Sequence, residues 1–421
     1  MSVDTELQAM RTHISDSYDA LEDKGGTVPA NKSFANLPQA IYSINSIIYG
    51  QSRYKKNGTV LQVSNDSVAN KFNTIKNMPQ YTFSAIFHNT NLTGALSFPE
   101  LLSIGNSAMN NAFSYCPNIT SVSFPKLTTV SGYGAQSSFY DCTGITNVNI
   151  PLIQTISGGS SFYTAFHNCT SLTSVNVDSL QSIAGSQACY QTFYGCANLT
   201  SIDLSSLTTI NAYQACYQMF SGCSSLTSID LSGLQTINGD SACMYMFQNC
   251  TDLTSVDLSS LTTIGQTGCS NMFDHCSSLV NVDLSSLTDI SERAALDDMF
   301  GFCTSLASID LSSITTVSGY NACLATFYAC SSLSNVDLSG LTTVSGTNGL
   351  GWMFSYCTSL TTISFPALTT ISQTSALNDM FQGCTNLTAI HFRSDVQSTV
   401  ENLTGYSSHF GASNATIYFD L

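Results

Sequence analysis

The places where this 421-residue chain could do chemistry are its sixteen cysteines, a stripe of aspartates and a scatter of tyrosines and histidines. Eleven cysteines fall at 116, 142, 169, 196, 223, 250, 276, 303, 330, 357 and 384, each 26 or 27 residues after the last. Five more, Cys189, Cys216, Cys243, Cys269 and Cys323, stand seven residues before a member of that series. On a helix such a pair would be separated by roughly 10 Å, at about 1.5 Å per residue. Disulfide Cα atoms lie within about 7 Å, and zinc sites favour C-x2–4-C pairs. The residues alone therefore read as reduced, buried, small apolar side chains, with disulfides between neighbouring repeats or a metal role as the alternatives.

Asp203, Asp230, Asp257, Asp283, Asp310 and Asp337 take one position in six consecutive repeats. If adjacent repeats lie at strand spacing, about 4.8 Å, each neighbouring pair repels by roughly 0.9 kcal/mol at the dielectric of water. Such a stripe suits a solvated face that resists association, a ladder that binds calcium or a cationic ligand, or a docking face for a protein. Flanking Ser201, Ser228, Ser255, Asn281, Ser308 and Asn335 add short hydrogen-bonding groups that suit glycan hydroxyls. Tyr133, Tyr213 and Tyr320 share one loop position, and Tyr190 and Tyr217 another. Loops carry function on a rigid scaffold, so these tyrosines read either as aromatic platforms for sugar rings or as rings packed against the next loop. The expected ligand-binding set is Asp230, Asp257, Asp283, Asp310, Tyr190, Tyr213, Tyr217 and Tyr320, with the six-aspartate ladder as the speculative metal site.

Enzymatic readings fare poorly. His13, His88, His167, His275, His391 and His409 lie far apart, and the chain has no H-E-x-x-H, G-x-S-x-G, P-loop or dinucleotide motif. Two aspartates in adjacent repeats imitate a glycosidase pair, but the ladder offers no distinct environments to separate an acid from a base. The expectation is a non-enzymatic protein without a cofactor.

The elements that must position these residues follow from the repeat itself. A phenylalanine stands three residues before every ladder position, from Phe87, ahead of Thr90, to Phe381, ahead of Cys384. After Cys223, the residues Leu226, Ile229, Leu231, Leu234 and Ile237 spell L-x-x-I-x-L-x-x-L-x-x-I. On an extended strand Ile229 and Leu231 face inward and Asp230 faces water. Ala242, Cys243, Met246, Phe247 and Cys250, at i, i+1, i+4, i+5 and i+8, predict a short helix closing the rung on the opposite side. One rung cannot bury this face alone, but a stack of about twelve makes a continuous core. The expected fold is an α/β solenoid, a right-handed stack of leucine-rich repeats over 80–390. Residues 80–104 form a degenerate first rung, and 391–421 a C-terminal cap.

Ahead of the stack, 1–48 reads as a helical attachment segment. Leu7, Met10, Ile14, Tyr18 and Leu21 form an oligomerisation-type seam, trimeric or otherwise, and a second helix follows over 31–48. Lys55-Lys56-Asn57-Gly58 marks a hairpin in a small β linker at 49–79. Residues 1–76 hold eight of the eleven Lys and Arg against seven acids, which leaves three against twenty, about −17, for the repeats. That balance argues against a nucleic-acid partner. The start carries no basic-then-apolar signal, and no run of eighteen apolar residues suggests a transmembrane segment.

The rung CSSLTSIDLSGLQTI, followed by MFQNC, resembles the BspA-type leucine-rich repeats of bacterial surface proteins and of phages of gut bacteria, across about 80–390. The rungs here are several residues longer than the short form of that repeat. KGGTVPANKSFANLPQAIYSI at 24–44 and the ending IHFRSDVQSTV…NATIYFDL are similar to terminal segments of phage- or prophage-encoded repeat proteins, some of them tail-associated. The resemblance implies host attachment: a phage tail or fibre-type receptor-binding protein, located in the virion, that recognises a host-surface glycan or protein. A bacterial cell-surface adhesin, or a structural spacer in an extracellular assembly, is the alternative it leaves.

Overall fold

The computed structural model describes Phe72, residues 75–85 and residues 87–421. The two helices, the Leu7–Leu21 seam and the hairpin expected before them lie outside the described residues.

The chain winds as a solenoid with two series of very short strands, every pairing parallel. The first series holds thirteen strands, from Gly94–Ser97 to Thr416–Phe419, and the second twelve two-residue strands, from Asn77–Met78 to Thr370–Ile371. Stacking is position on position: Ser201 pairs with Ser228, Ile202 with Ile229 and Asp203 with Asp230. Strand Ser228–Asp230 alternates exposed, buried, exposed, the half-buried pattern its sequence predicts. Leu226, Leu231, Leu234 and Ile237 are fully buried at the corners of the rung.

The helix expected at Ala242–Cys250 is not there. Left-handed backbone at Ser241, Tyr245 and Asn249 interrupts the segment every fourth residue, a conformation that breaks any α-helix. Backbone N–H groups alternate in their use. Those of Cys243, Tyr245 and Phe247 donate to Gly268, Ser270 and Met272 of the next rung, and those of Met244, Met246 and Gln248 close turns onto Ser241, Cys243 and Tyr245. The residues predicted to face the core do so, since Ala242, Cys243, Met246, Phe247 and Cys250 are all buried. A four-residue turn repeat and a 3.6-residue helix bury the same positions over two turns, so the apolar spacing could not separate them.

Twelve phenylalanines, Phe87 to Phe381, run through the core as one file. Phe220 and Phe247 stack with centroids 5.4 Å apart and planes within 3°. The ladder cysteines follow alongside, all free and buried. The Cys250 thiol donates to the Phe220 carbonyl of the preceding rung at 3.2 Å, and the bond recurs at Cys142, Cys223, Cys303 and Cys384. Cysteine thus fills a small buried space and satisfies a carbonyl there. Burial raises these thiols, Cys196 and Cys384 to about 12. The helical distance that argued against C-x6-C disulfides does not apply to a turn ladder, but both cysteine sets are free thiols.

The ends differ from the boundaries expected. Asn77–Met78 pairs with Ser103–Ile104, so the stack begins inside the span 49–79 read as linker. Phe72 stacks on Phe98 at 4.7 Å and meets Phe87 and Phe113 edge-on, closing the file at that end. At the other end Thr416–Phe419 pairs in register with Ala389–Phe392. The segment read as a cap is therefore a thirteenth turn, with Phe410 packed over the last core ring, Phe392.

Candidate functional site

The aspartate ladder lies on the first strand series, its side chains exposed. Strand pairing sets Asp203 beside Asp230, Asp230 beside Asp257 and Asp257 beside Asp283. Each carboxylate turns back on its own loop. Oδ1 of all six accepts the backbone N–H of the serine two residues on, at 2.8–3.0 Å. This local turn closes the corner after each strand. The amide and hydroxyl of Ser205 hold Asp203 below the usual carboxylate range, and the hydroxyl and amide of Ser259 and of Ser312 do the same for Asp257 and Asp310. Asn176 plays the same part, accepting from the Asp178 amide at 3.3 Å. An open depression runs across the stripe, lined by Ser201, Asp203, Ser228, Asp230, Ser255 and Asp257. Among the described residues no group of three or more His, Cys, Asp or Glu is disposed to hold a metal ion.

The tyrosines lie on the turn side, away from that stripe. Tyr190 is stacked between Tyr163 and Tyr217 at 4.6 and 4.8 Å, with planes within 7°. A second file runs Tyr140, His167, Tyr194 at 4.6 and 4.8 Å. Stacking covers the ring faces of Tyr190 and leaves edges and hydroxyls to solvent, so Tyr190 cannot offer a sugar ring a flat aromatic platform and Tyr217, edge-on to Tyr245 on its other side, has little face to offer. Tyr133, Tyr213 and Tyr320 are each 50% exposed but belong to separate rungs, and the Arg293 guanidinium lies over Tyr320 at 5.7 Å. The structure does not bring the aspartates and tyrosines into one site.

One cluster escaped the reading of the sequence. On the turn side Asp274 is buried, accepting from Gln248 Nε2 at 2.9 Å and from His275 Nδ1 at 2.7 Å. In the next rung Asp298 Oδ2 accepts from Asn271 Nδ2 at 2.8 Å, while its buried Oδ1 has no partner. A Cβ on Gly301 would collide with Asp298 Oδ1 and come within 3.1 Å of Asp274 Oδ1, so the two oxygens look into one space. Burial raises Asp297 to about 6; burial, with Asp274 and then Asp297, raises Asp298 to about 7. The only sequence signal was the doubled charge of Asp297-Asp298, where the other rungs carry at most one acid, Asp379. Of the histidines, His391 pairs with Asp420 at 2.9 Å on the last strands, and His167 is a member of the second aromatic file.

Among curated proteins none matches the chain. Among solved structures it is similar to a leucine-rich cell surface protein from Faecalibacterium prausnitzii (19% identity, 82% of each chain, TM-score 0.36). It is also similar to a leucine-rich repeat protein from Bacteroides ovatus (19% identity, 77% of this chain and 91% of that one, TM-score 0.24). A third is a leucine-rich repeat protein from Eubacterium ventriosum (17% identity, 59% and 68%, TM-score 0.33). Among the described residues no helix is long and apolar enough to cross a membrane. The model of the BspA type leucine-rich repeat region matches in overlapping stretches at 67–191, 135–267, 164–295, 191–322 and 269–408. Those stretches run across most of its length, and the chain belongs to the BspA-type leucine-rich-repeat family.

Proposed function

We propose that this protein is a non-enzymatic adhesin, working at a cell surface or outside the cell, that binds a host-surface glycan or protein along the strand side of the solenoid. The observation that carries the reading is the open depression at Asp203, Asp230 and Asp257 with its flanking serines. Hydroxyl and carboxylate groups recur there at strand spacing on a rigid frame, and the Asx turns leave Oδ2 of each aspartate for an incoming donor. Membership in a family resembling bacterial surface proteins favours the same setting. The net charge of the repeats turns away nucleic acid. The test is binding of the full chain to arrayed host glycans and surface proteins, with Ser228→Arg/Ser255→Arg on the strand side against Tyr190→Ala/Tyr217→Ala on the turn side. Loss of binding in the first pair alone supports the reading, and loss in the second pair alone refutes it.

The second reading is a phage tail or fibre protein carried in the virion. The likeness of 24–44 and the C-terminal ending to phage-encoded segments favours it. It requires 1–48 to assemble, as a trimer or another homo-oligomer. Light scattering on the full chain and on 72–421 decides: an oligomer that becomes a monomer on truncation favours the fibre, and two monomers leave the adhesin.

A further inference from the structure

Three sets of bonds tie each rung to the next: strand pairs, hydroxyl-to-carbonyl bonds and the turn-side ladder. Across one stretch the strand pairs fail in both series and the hydroxyl bonds thin out. In the second series Thr263–Ile264 and Asp289–Ile290 belong to different sheets, and in the first series Asn281–Asp283 and Ser308–Asp310 do. Each series breaks at one other place, but only here do both break within one turn of the chain.

One column of hydroxyl bonds is lost as well. Elsewhere Thr227 Oγ1 donates to Thr200 and Thr254 Oγ1 to Thr227, both at 3.2 Å. The next two residues in that column are Val280 and Ala307, which have no hydroxyl. Thr288 donates to Asp289 rather than to the preceding rung. What remains across the gap is Ser313 on Leu284 and Leu287, Thr304 on Ser277, and the turn ladder, in which Asn271, Phe273 and His275 donate to Asp297, Met299 and Gly301. Asp274 and Asp298 face each other across that same ladder.

We propose that this boundary is a proton-linked joint: a neutral Asp298 lets the turn ladder hold the two parts of the solenoid together, and ionisation of Asp298 beside Asp274 loosens it locally.

The groups around Asp298 give it no countercharge. From the preceding rung come Asn271 and Asp274, the latter joined to His275 and Gln248; Tyr245 lies one rung further back, and Asp297 is its neighbour in sequence. From the following rung comes the Leu324 carbonyl, which takes the Asp298 amide. Tyr328 and the buried Cys323 and Cys330 are the titratable groups of that rung's turn. Arg293 is over Tyr320 instead. A carboxyl raised to about 7 binds its proton more tightly folded than unfolded. The folded joint is therefore strongest below the ordinary carboxylate range and weakens as pH climbs towards 7.

Hydrogen exchange of the full chain, read by mass spectrometry at pH 5.5 and 8 and corrected for intrinsic rates, tests the joint. Peptides covering 267–303 should lose at least tenfold in protection at pH 8, while those covering 187–223 hold theirs. Asp298→Asn, and independently Asp274→Asn, should flatten that response; Asp289→Asn, exposed at the same boundary, should leave it intact. An equal pH response along all rungs, or a response that survives both Asp298→Asn and Asp274→Asn, overturns the proposal, as does flattening by Asp289→Asn.

Discussion

Replacing Asp230 with asparagine should make the protein more stable, although it removes a charge from the most regular feature of the surface. Asp230 is paired on one side with Asp203 and on the other with Asp257. At about 4.8 Å each pair repels by roughly 0.9 kcal/mol in water, and at 0.15 M salt screening leaves about half of that. Relief from two neighbours is worth about 1 kcal/mol. Asparagine keeps the oxygen that accepts from the Ser232 amide at 3.0 Å and from its hydroxyl at 2.7 Å. Alanine relieves the same repulsion but gives up those bonds, about 1 kcal/mol together at an exposed site, and should come out near neutral. Urea unfolding midpoints, which leave ionic strength free to vary, are the assay. The gain for Asp230→Asn should fade towards zero at 1 M salt, where the screening length is about 3 Å. An asparagine variant less stable than the parent, an alanine variant as stable as the asparagine one, or a gain indifferent to salt would each refute the assignment of the ladder as capped, mutually repelling carboxylates.

Three further outcomes follow from the same structure. Phe247→Ala should cost about 3–5 kcal/mol by opening the ring file, and Tyr245→Ala, on the outer side, well under half of that in the same urea unfolding assay. The sixteen thiols should resist a water-soluble disulfide reagent at pH 8 in the folded protein and all react once it is unfolded; rapid labelling of the folded chain would contradict their burial. Asp203, Asp257 and Asp310 are held below their unfolded values, so the stability they add is present above about pH 4 and is lost as pH falls through their folded values. An acid titration followed by circular dichroism should show that loss beginning below pH 4, and it should shrink in the triple asparagine variant.

Much of the fold was legible because a period of 26 or 27 residues fixes which side chains share a layer, and burial at Ile229, Leu231, Phe247 and Cys250 follows from that alone. The backbone of the turn side was not legible. Helical spacing and a four-residue turn repeat put Ala242, Met246 and Cys250 on the same side, and only the left-handed residues at Ser241, Tyr245 and Asn249 distinguish them. Asparagine and serine there are a weak signal; tyrosine is none. The tyrosines misled for a related reason: a shared loop position at Tyr190 and Tyr217 predicts that rings meet, but not that they meet face to face and cover one another. Asp274 and Asp298 were missed because they sit in different columns of the repeat, three residues apart in phase, and only the folded turns bring them together.

The regularity of this surface has a structural reason that bears on where function is to be sought. Only 9% of the residues are charged, and much of the exposed polar surface is spent on stacking. Thr146, Thr173, Thr342 and Thr369 each donate to the carbonyl one rung back, and the aspartates cap their own corners. A residue that repeats in register is thus already accounted for by the stack, however much it looks like a stripe made for a ligand. The residues for which the repeat gives no reason are the departures: Val280 and Ala307 in a threonine column, the buried Asp274, the unpartnered Asp298 oxygen, the exposed ring of Trp352. Of these, four lie at the one boundary where both strand series are broken, and that coincidence, rather than the length of the aspartate ladder, is the stronger sign of a specialised place in an otherwise uniform solenoid.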